Sequence, residues 1–316
     1  MVKISISVSI VLSFILFFAA CHNQETKDKW SDTMTAGIIH VACDENFKSL
    51  MDDEISIFEG TYPKAVILPT YTTETEAIRL LTDDSVRFAL VTRDIYPHEL
   101  QRLTEKQMKV IKRLIAFDAI AILIRADNPD SLMSLPQLKQ IVTGTKTEWT
   151  EVYPQSRLGT IRLVVDNKES GVLRYLVDSI ATGGTLTDNI YAVNSCAEVI
   201  EKVKQLPNAM GFVSINALNK FSDAELSQIR LLRLSKTHPA TYATAALPYA
   251  GDVLSESYPL WRPIYVLLSD PKSGLSTGLT IFLTLEAGQM LIMKEGLLPM
   301  TPAHNRQVVV TNSFPK

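Results

Sequence analysis

Short apolar runs alternate with amphipathic segments along most of the chain. Residues 38–42 form a β-rich apolar run that ends near Asp44, and apolar positions then recur at helical spacing over residues 47–58. The same order is repeated in residues 65–81 and begins again at residues 88–91. Strands that alternate with helices predict a largely parallel, doubly wound α/β sheet.

A second series of the same kind follows an apolar stretch at residues 115–124, which is long enough to cross between two structural units. Residues 161–165 are predicted to be a strand, and helices are predicted to begin at Ser170 and Ser195. Ser195 and Glu198 also have the spacing of a capping box.

The chain is long for one hydrophobic core. It has 316 residues, of which 46% are hydrophobic, whereas a single core stops growing at about 250 to 300 residues. A further strand at residues 263–268 and a helical region at 274–294 complete the pattern. We therefore expect two lobes, with residues 37–118 and 240–316 in lobe I and residues 119–239 in lobe II.

The start of the chain has the pattern of a targeting segment. Lys3 precedes an apolar run over residues 4–20 that ends at Cys21. This stretch resembles a bacterial lipoprotein signal peptide, residues 1–20, followed by a lipidated Cys21; an uncleaved single-helix anchor is the alternative. Residues 21–36 are polar and patternless, as in a tether. Either alternative places the folded domain outside the cytoplasm. We therefore expect a periplasmic, lipid-anchored protein, and the sequence does not specify which membrane leaflet holds the lipid.

Charge and motif content exclude several functions. The 31 basic and 34 acidic residues give a net charge of −3 without a long run of either sign, which argues against nucleic-acid binding. Signatures such as G-x-S-x-G, GxxxxGK[ST] and HExxH do not occur, and the five histidines have no partner at metal-ligand spacing. We therefore predict no catalysis, no cofactor and no metal site, and any anion must be held by local donors.

Two cysteines remain beyond Cys21, at positions 43 and 196. The sequence cannot supply the Cα separation of about 5.5 Å that a disulfide requires. A bridge between Cys43 and Cys196 therefore stays open, and two separate thiols are the simpler interpretation.

Four turns join a predicted strand to a predicted helix through small polar residues. They lie at residues 44–47, 71–73, 92–93 and 169–171. Such turns expose backbone N–H groups, and ligands of open α/β sheets bind outside the carboxyl ends of the strands. The turns either converge on one anion or act as ordinary helix caps. Glu74 and Glu76 count against an anion at the second turn, because they already use the helix dipole.

The order of several short motifs resembles the phosphate-binding proteins of bacterial phosphate ABC importers, especially their lipoprotein branch in Bacteroidetes. The motifs lie at residues 42–48, 54–63, 91–94, 118–121, 143–149, 166–175 and 288–299. The resemblance implies a type II periplasmic binding protein, in which two doubly wound α/β lobes joined by a hinge close on an oxyanion. It also implies inorganic phosphate or a similar oxyanion as ligand, an ABC permease complex as partner, and a monomer.

The resemblance further implies a set of ligand-binding residues. Backbone amides and hydroxyl groups at the family's anion-binding positions fall on Asn46, Phe47, Thr72 or Thr73, Ser170 and Gly171. Val172 stands where the family has a threonine, which removes one hydroxyl group.

A charged pair looks exchanged relative to the family. Arg93 lies near the position where many phosphate binders have an aspartate, and Asp166 lies where they have an arginine. Asp166 would accept the proton that phosphate keeps near neutral pH, and Arg93 would offer a bidentate fork. Alternatively, Arg93 pairs with Asp166 or Asp94 and only latches the lobes.

The leading hypothesis is therefore an extracytoplasmic solute-binding protein that captures phosphate between two lobes for ABC import. Two alternatives stay open. One is an anion-sensing or surface-interaction lipoprotein of the same fold, and the other is a phosphate-ester hydrolase that uses the same cleft.

Overall fold

A computed structural model describes residues 32–182 and 184–301. The strands are β1 (Ala36–Asp44), β2 (Lys64–Thr72), β3 (Phe88–Val91), β4 (Ile111–Arg125), β5 (Leu132–Ser134), β6 (Arg162–Val165), β7 (Ile190–Ala192), β8 (Ala209–Ser214), β9 (Ile229–Leu231), β10 (Arg233–Ser235), β11 (Ala245–Ala246), β12 (Trp261–Leu268) and β13 (Leu298–Pro299).

The α-helices are α1 (Lys48–Thr61), α2 (Glu74–Thr82), α3 (Pro97–Glu105), α4 (Leu135–Val142), α5 (Trp149–Val152), α6 (Gly171–Tyr175), α7 (Cys196–Gln205), α8 (Ile215–Leu218), α9 (Asp223–Leu226), α10 (Ala250–Leu254), α11 (Leu275–Thr284) and α12 (Glu286–Lys294). A 3₁₀ turn (Glu45–Phe47) precedes α1, and a π-helical segment (Leu176–Ile180) continues α6.

The helix starts follow local capping chemistry. Thr73, Ser170 and Ser195 are N-cap residues whose hydroxyl oxygen accepts a hydrogen bond from a backbone N–H three residues later, at the start of α2, α6 and α7. Pro97 occupies the first position of α3, where its fixed φ suits the helix and its missing N–H costs nothing. The predicted starts of α6 and α7, at Ser170 and Ser195, are confirmed.

The main sheet has the strand order β2-β1-β3-β12-β4-β8-β6-β7. β1 is parallel to β2 and β3, and β6 is parallel to β7 and β8, as the alternating pattern predicts. The sheet is mixed, however, because β12 is antiparallel to β3 and β4, and β4 is antiparallel to β8. The architecture is a two-lobed α/β fold in which these antiparallel strands join the two parallel parts.

β4 carries the chain from one lobe to the other. Its first part pairs with β12 up to Ala119, and its second part pairs with β8 from Ile120 onward. β11 still belongs with β10 and β5 in a separate three-stranded sheet, so the chain returns to the first lobe only between Ala246 and Trp261. The lobe boundaries expected at residues 118 and 240 stay predictions.

The core is continuous under both lobes, and a smaller apolar cluster lies beneath α2. Cys43 and Cys196 are both buried and free of disulfides, as the simpler interpretation predicts.

Residues 32–36, which we expected to be part of the tether, contact the domain. An Asp32 carboxylate oxygen accepts a hydrogen bond of 2.8 Å from the Leu275 N–H at the start of α11.

No single helix in the described part of the chain is long and apolar enough to cross a membrane. The pair α11 and α12 reaches that length and composition only together, across a bend of 65°.

Candidate functional site

The carboxyl ends of several strands meet in the interface between the lobes. Asp44 ends β1, Thr92 follows β3 and Asp166 follows β6, and all three side chains are buried. Polar groups accumulate here because the carboxyl ends of parallel strands face one edge of a sheet, where the loops to the next helices begin.

A buried ion pair forms the centre of this interface. Arg262 of β12 and Asp118 of β4 are direct cross-strand partners, and the Arg262 Nε donates to the Asp118 Oδ2 at 2.9 Å. The Ser214 hydroxyl, at the end of β8, donates to the other oxygen of Asp118 at 2.9 Å. Ser214 thus orients the Asp118 carboxylate, and Asp118 in turn orients the Arg262 guanidinium through its Nε.

One of the remaining nitrogens of Arg262, Nη1, lies against the other lobe, where a Cβ placed on Gly171 would be 2.7 Å away. Nη1 donates to the Thr92 Oγ1 at 3.2 Å, whereas Nη2 is buried without a hydrogen-bond partner among the described residues. A guanidinium nitrogen buried in this way is a strong donor that a guest oxygen could satisfy. The Phe47 ring lies 5.7 Å from the Arg262 Cζ and closes one side of the site.

Two carboxylates face the same guanidinium. Burial raises the pKa of Asp44 to about 7, although the Arg262 charge works in the opposite direction. Burial also raises the pKa of Asp166, and the side chains of Ser170 and Asn46 oppose that rise. One oxygen of each carboxylate, the Asp44 Oδ2 and the Asp166 Oδ1, is buried and has no partner in the described part of the chain. The site therefore offers acceptors as well as donors.

A third carboxylate bridges the lobes. The Glu74 Oε1 accepts a 2.7 Å hydrogen bond from the Thr92 N–H, and its Oε2 accepts one of 2.6 Å from the Arg174 Nε. Arg174 lies on α6 of the second lobe, whereas Glu74 begins α2 of the first. Burial works to raise the pKa of Glu74, but the Arg174 charge and the hydrogen bonds outweigh it, so that the pKa lies below its ordinary value.

Four of the predicted ligand residues lie together in this interface. Asn46 donates to the Asp44 Oδ1 through its backbone N–H and its side-chain amide, both at 3.0 Å. Ser170 and Asn46 flank Asp166, and a Cβ placed on Gly171 would lie 2.7 Å from the Arg262 Nη1. Asn46, Asp166, Ser170 and Gly171 thus surround one small volume.

Arg93 has a different partner from those considered from the sequence. Its Nη1 and Nη2 donate to the two Glu99 carboxylate oxygens, each at 2.7 Å, and Tyr96 stacks on it at 3.8 Å. The Asp94 backbone oxygen, not its carboxylate, accepts from Arg93. Neither expected ion pair of Arg93, with Asp166 or with Asp94, is present, because Glu99 on the first turn of α3 offers a closer bidentate match.

Thr72 and Thr73 have structural partners of their own. Thr72 is the last residue of β2 and pairs in register with Asp44. The Thr73 hydroxyl oxygen caps α2 by accepting from the Glu76 N–H. A ligand contact from either hydroxyl stays a prediction. The signal peptide and Cys21 lie outside the described residues.

A cavity of about 360 Å³ opens where the lobes meet at the surface. Arg93, Tyr96 and Glu99 line it on one side, and Lys168 and Arg174 line it on the other. Ser170 and Arg174, which belong to the interface described above, also line the cavity.

The sequence carries a signal for this central pair. Asp118 is the only charged residue in the apolar stretch 115–124, and Arg262 is the only charged residue of β12. Isolated opposite charges in two strand-forming runs favour a buried pair, because an unpaired buried charge is too costly.

Grouped metal ligands are absent from residues 32–182 and 184–301: no three His, Cys, Asp or Glu side chains are placed to hold one ion. Arg262, the nearby N–H and O–H donors and the carboxylate acceptors are groups that can bind an oxygen-rich group noncovalently.

Comparison with known proteins places this fold in a family. A profile described as the PBP superfamily domain matches residues 29–285. The phosphate-binding protein PstS of Pseudomonas aeruginosa is 23% identical over 258 residues, with 77% of each chain covered. Alkaline phosphatase L of the same species is 22% identical over 234 residues, covering 60% of this chain and 63% of its own length.

Solved structures share the fold as well. A phosphate ABC transporter substrate-binding protein from Clostridium perfringens, crystallised with bound phosphate, superposes with a TM-score of 0.68 at 20% identity. The alignment covers 84% of this chain and all of the other. The two-lobed fold expected from the sequence is confirmed, and the chain belongs to the PBP superfamily.

Proposed function

We propose that the chain is an extracytoplasmic solute-binding protein that captures inorganic phosphate, or a closely related tetrahedral oxyanion, between its lobes for import by an ABC permease. The observation that carries the proposal is Arg262: a buried guanidinium, held by Asp118, whose Nη2 lacks a partner in the described chain and whose Nη1 lies beside Gly171 of the other lobe. Family membership and the names of the phosphate-binding relatives support the same function.

The acceptors favour phosphate over sulfate. Phosphate keeps at least one proton near neutral pH, which the unpartnered oxygens of Asp44 and Asp166 can accept. Fully ionised sulfate has no proton to donate, so the same carboxylates would repel it. Arg262 attracts both anions, and the carboxylates supply the discrimination.

The predicted ligand residues complete the proposal. Backbone N–H groups of Asn46, Phe47 and Gly171 and the Ser170 hydroxyl would surround the anion, with Thr72 or Thr73 adding a hydroxyl when the lobes close. Arg93, which lines the surface cavity, would attract the anion rather than hold it, since Glu99 already occupies its fork.

Membrane attachment belongs to the same proposal. A lipid on Cys21 would keep the monomeric binding domain near its permease. Metabolic labelling with a radioactive fatty acid should then mark the wild type and not Cys21→Ala, whereas label that remains in the variant would contradict lipidation at this residue.

Thermal melting with added anions tests the ligand. Phosphate and arsenate are expected to raise the melting temperature, since an anion that binds only the folded state stabilises it, and sulfate should raise it less. Equal shifts with phosphate and sulfate would contradict the discriminating role of Asp44 and Asp166.

A second candidate, hydrolysis of phosphate esters, is favoured by one observation, the similarity to alkaline phosphatase L. Ser170 would be the nucleophile in the same interface, although its hydroxyl oxygen already accepts from the Leu173 N–H. Turnover of p-nitrophenyl phosphate that disappears in Ser170→Ala would support this candidate, and its absence in the wild type would leave transport binding as the function.

A further inference from the structure

Glu74 is held by the kinds of donor that an oxyanion needs. Its Oε1 accepts from the Thr92 N–H at 2.7 Å and also from the Thr92 hydroxyl. Its Oε2 accepts from the Arg174 Nε at 2.6 Å, and the Arg93 Nε lies 3.9 Å from that oxygen. One backbone amide, one hydroxyl and one guanidinium thus converge on a carboxylate that belongs to the protein itself.

The carboxylate lies beside the proposed anion site and not on the protein surface. A Cβ placed on Gly171 would be 3.1 Å from the Glu74 Oε1 and 2.7 Å from the Arg262 Nη1. Glu74 is 1% exposed. The Glu74 charge also helps to raise the pKa of Arg262. Glu74 and Arg262 therefore lie at the same small site.

Helix capping alone does not account for this placement. Glu76 lies on the same first turn of α2 and satisfies the helix dipole from the surface, where its carboxylate pairs with Arg79 at 2.6 Å. Glu74 instead reaches Arg174, a residue of the other lobe. The Arg174 Nη2 donates to the Thr92 Oγ1 at 3.0 Å, which adds a second link between the lobes.

We propose that Glu74 is a built-in competitor of the anion: the Thr92 and Arg174 donors lie at the edge of the anion site and would also bind the oxyanion, but the Glu74 carboxylate occupies them and must be displaced. This inference rests on the proposed function, and it identifies Glu74 as the residue that limits the affinity of the anion site. Two negative groups cannot share these donors, because like charges at such distances repel strongly in a buried site.

The competition has a thermodynamic consequence. When part of the population is held in a form that cannot bind, the apparent dissociation constant rises in inverse proportion to the competent fraction. The Glu74–Arg174 contact closes the lobes on the protein's own carboxylate and so lowers that fraction. Removing the charge of Glu74 should therefore tighten anion binding and, without anion, let the lobes separate.

The test compares Glu74→Gln, Glu74→Ala and the wild type, with Glu76→Gln as the matched control on the same helical turn. Inorganic phosphate is titrated calorimetrically, and small-angle X-ray scattering measures the radius of gyration of the phosphate-free protein. Both Glu74 variants are expected to bind phosphate roughly tenfold tighter and to have a larger phosphate-free radius. Glu76→Gln should match the wild type in both measurements.

Weaker or unchanged phosphate binding by both Glu74 variants would overturn the proposal, since Glu74 would then be a ligand or a bystander. An unchanged phosphate-free radius would overturn it as well. The scattering measurement needs no ligand, so it decides whether Glu74 closes the lobes even if phosphate gives no heat with any variant, a result that would refute the proposed function instead. Thermal melting of each variant establishes that it is folded.

Discussion

At the scale of single residues, the site depends on where lone charges are buried. Asp118 and Arg262 lie on neighbouring antiparallel strands and neutralise each other, while the Arg262 Nη2 stays buried without a partner among the described residues. Arginine is suited to this double role, because its planar fork can bind a carboxylate on one edge and a second acceptor on the other.

Arg262→Lys tests that role with little disturbance of the core. Lysine keeps the positive charge for Asp118 but loses the second edge of the fork, so we expect phosphate affinity to fall by about tenfold or more. Calorimetric titration measures the affinity, and thermal melting checks the fold. Arg125→Lys, on an exposed pair with Asp127, is the matched control and should bind as the wild type does. Equal affinity of the wild type and Arg262→Lys would place Arg262 outside the site.

A second buried carboxyl makes a prediction about stability. Glu54 on α1 is fully buried, and neither of its oxygens has a hydrogen-bond partner within residues 32–182 and 184–301. Burial, together with the neighbouring Asp53 charge, raises the pKa of Glu54 to about 9. The folded state therefore keeps a proton that the unfolded state releases, and the free energy of unfolding falls as pH rises from about 4 to 9.

Glu54→Gln should remove this dependence, because glutamine mimics the protonated acid at every pH. Relative to the wild type, the variant is expected to gain up to about 1.4 kcal/mol of stability for each pH unit between those limits. Urea unfolding at pH 5 and pH 8 measures the difference in slope, with the exposed Glu105→Gln as control. Parallel pH profiles for the wild type and Glu54→Gln would show that Glu54 ionises normally.

Residues whose role is local were the easier ones to predict. Asn46, Asp166, Ser170 and Gly171 follow strand ends, and the structure brings them together as the strand-turn-helix pattern implies. The partners of Arg93 and the place of Arg262 depend on contacts between distant segments. A single sequence does not specify such contacts. The sequence therefore predicts a bidentate anion contact from Arg93, whereas the structure pairs Arg93 with Glu99 and puts Arg262 at the centre of the site.

At the scale of elements, the same division holds. Caps at Thr73, Ser170 and Ser195 locate helix starts, since a hydroxyl bonds to an N–H only three residues away. The insertion of β12 between β3 and β4 was not predictable in this way. That pairing joins residues more than a hundred positions apart. The hydrophobic periodicity predicts that a segment is a strand, but it does not predict which strands pair with it.

The start of α6 makes a prediction at this scale. Gly171→Ala introduces a methyl group that would lie 2.7 Å from the Arg262 Nη1 and 3.0 Å from the Thr92 Oγ1, so the lobes could not close fully. Phosphate affinity should fall by about tenfold or more, since binding depends on groups within hydrogen-bonding distance. The melting temperature should not fall, because alanine favours a helix over glycine.

Gly60→Ala on α1 is the control, because nothing lies within 4 Å of the added Cβ. Calorimetry should give it wild-type phosphate affinity. If Gly171→Ala also binds as the wild type does, the approach of α6 to Arg262 is not needed for anion binding.

At the scale of the whole molecule, two connections let the lobes move against each other. β4 crosses near Ile120, and the returning chain crosses beside it, where the Ile120 N–H donates to the Leu260 oxygen at 2.9 Å. The Tyr258 hydroxyl donates to the Ile120 oxygen at 2.6 Å. Crossings that lie side by side permit hinge bending, and the contacts of Glu74, Thr92 and Arg174 lie across the interface that such bending would open.

The central claim is that an oxyanion binds between these lobes, and isothermal titration of the mature chain with phosphate and sulfate tests it most directly. We predict saturable heat with phosphate at one anion per chain and micromolar or tighter affinity, and much weaker binding of sulfate. No heat and no change in melting temperature with either anion would contradict the account.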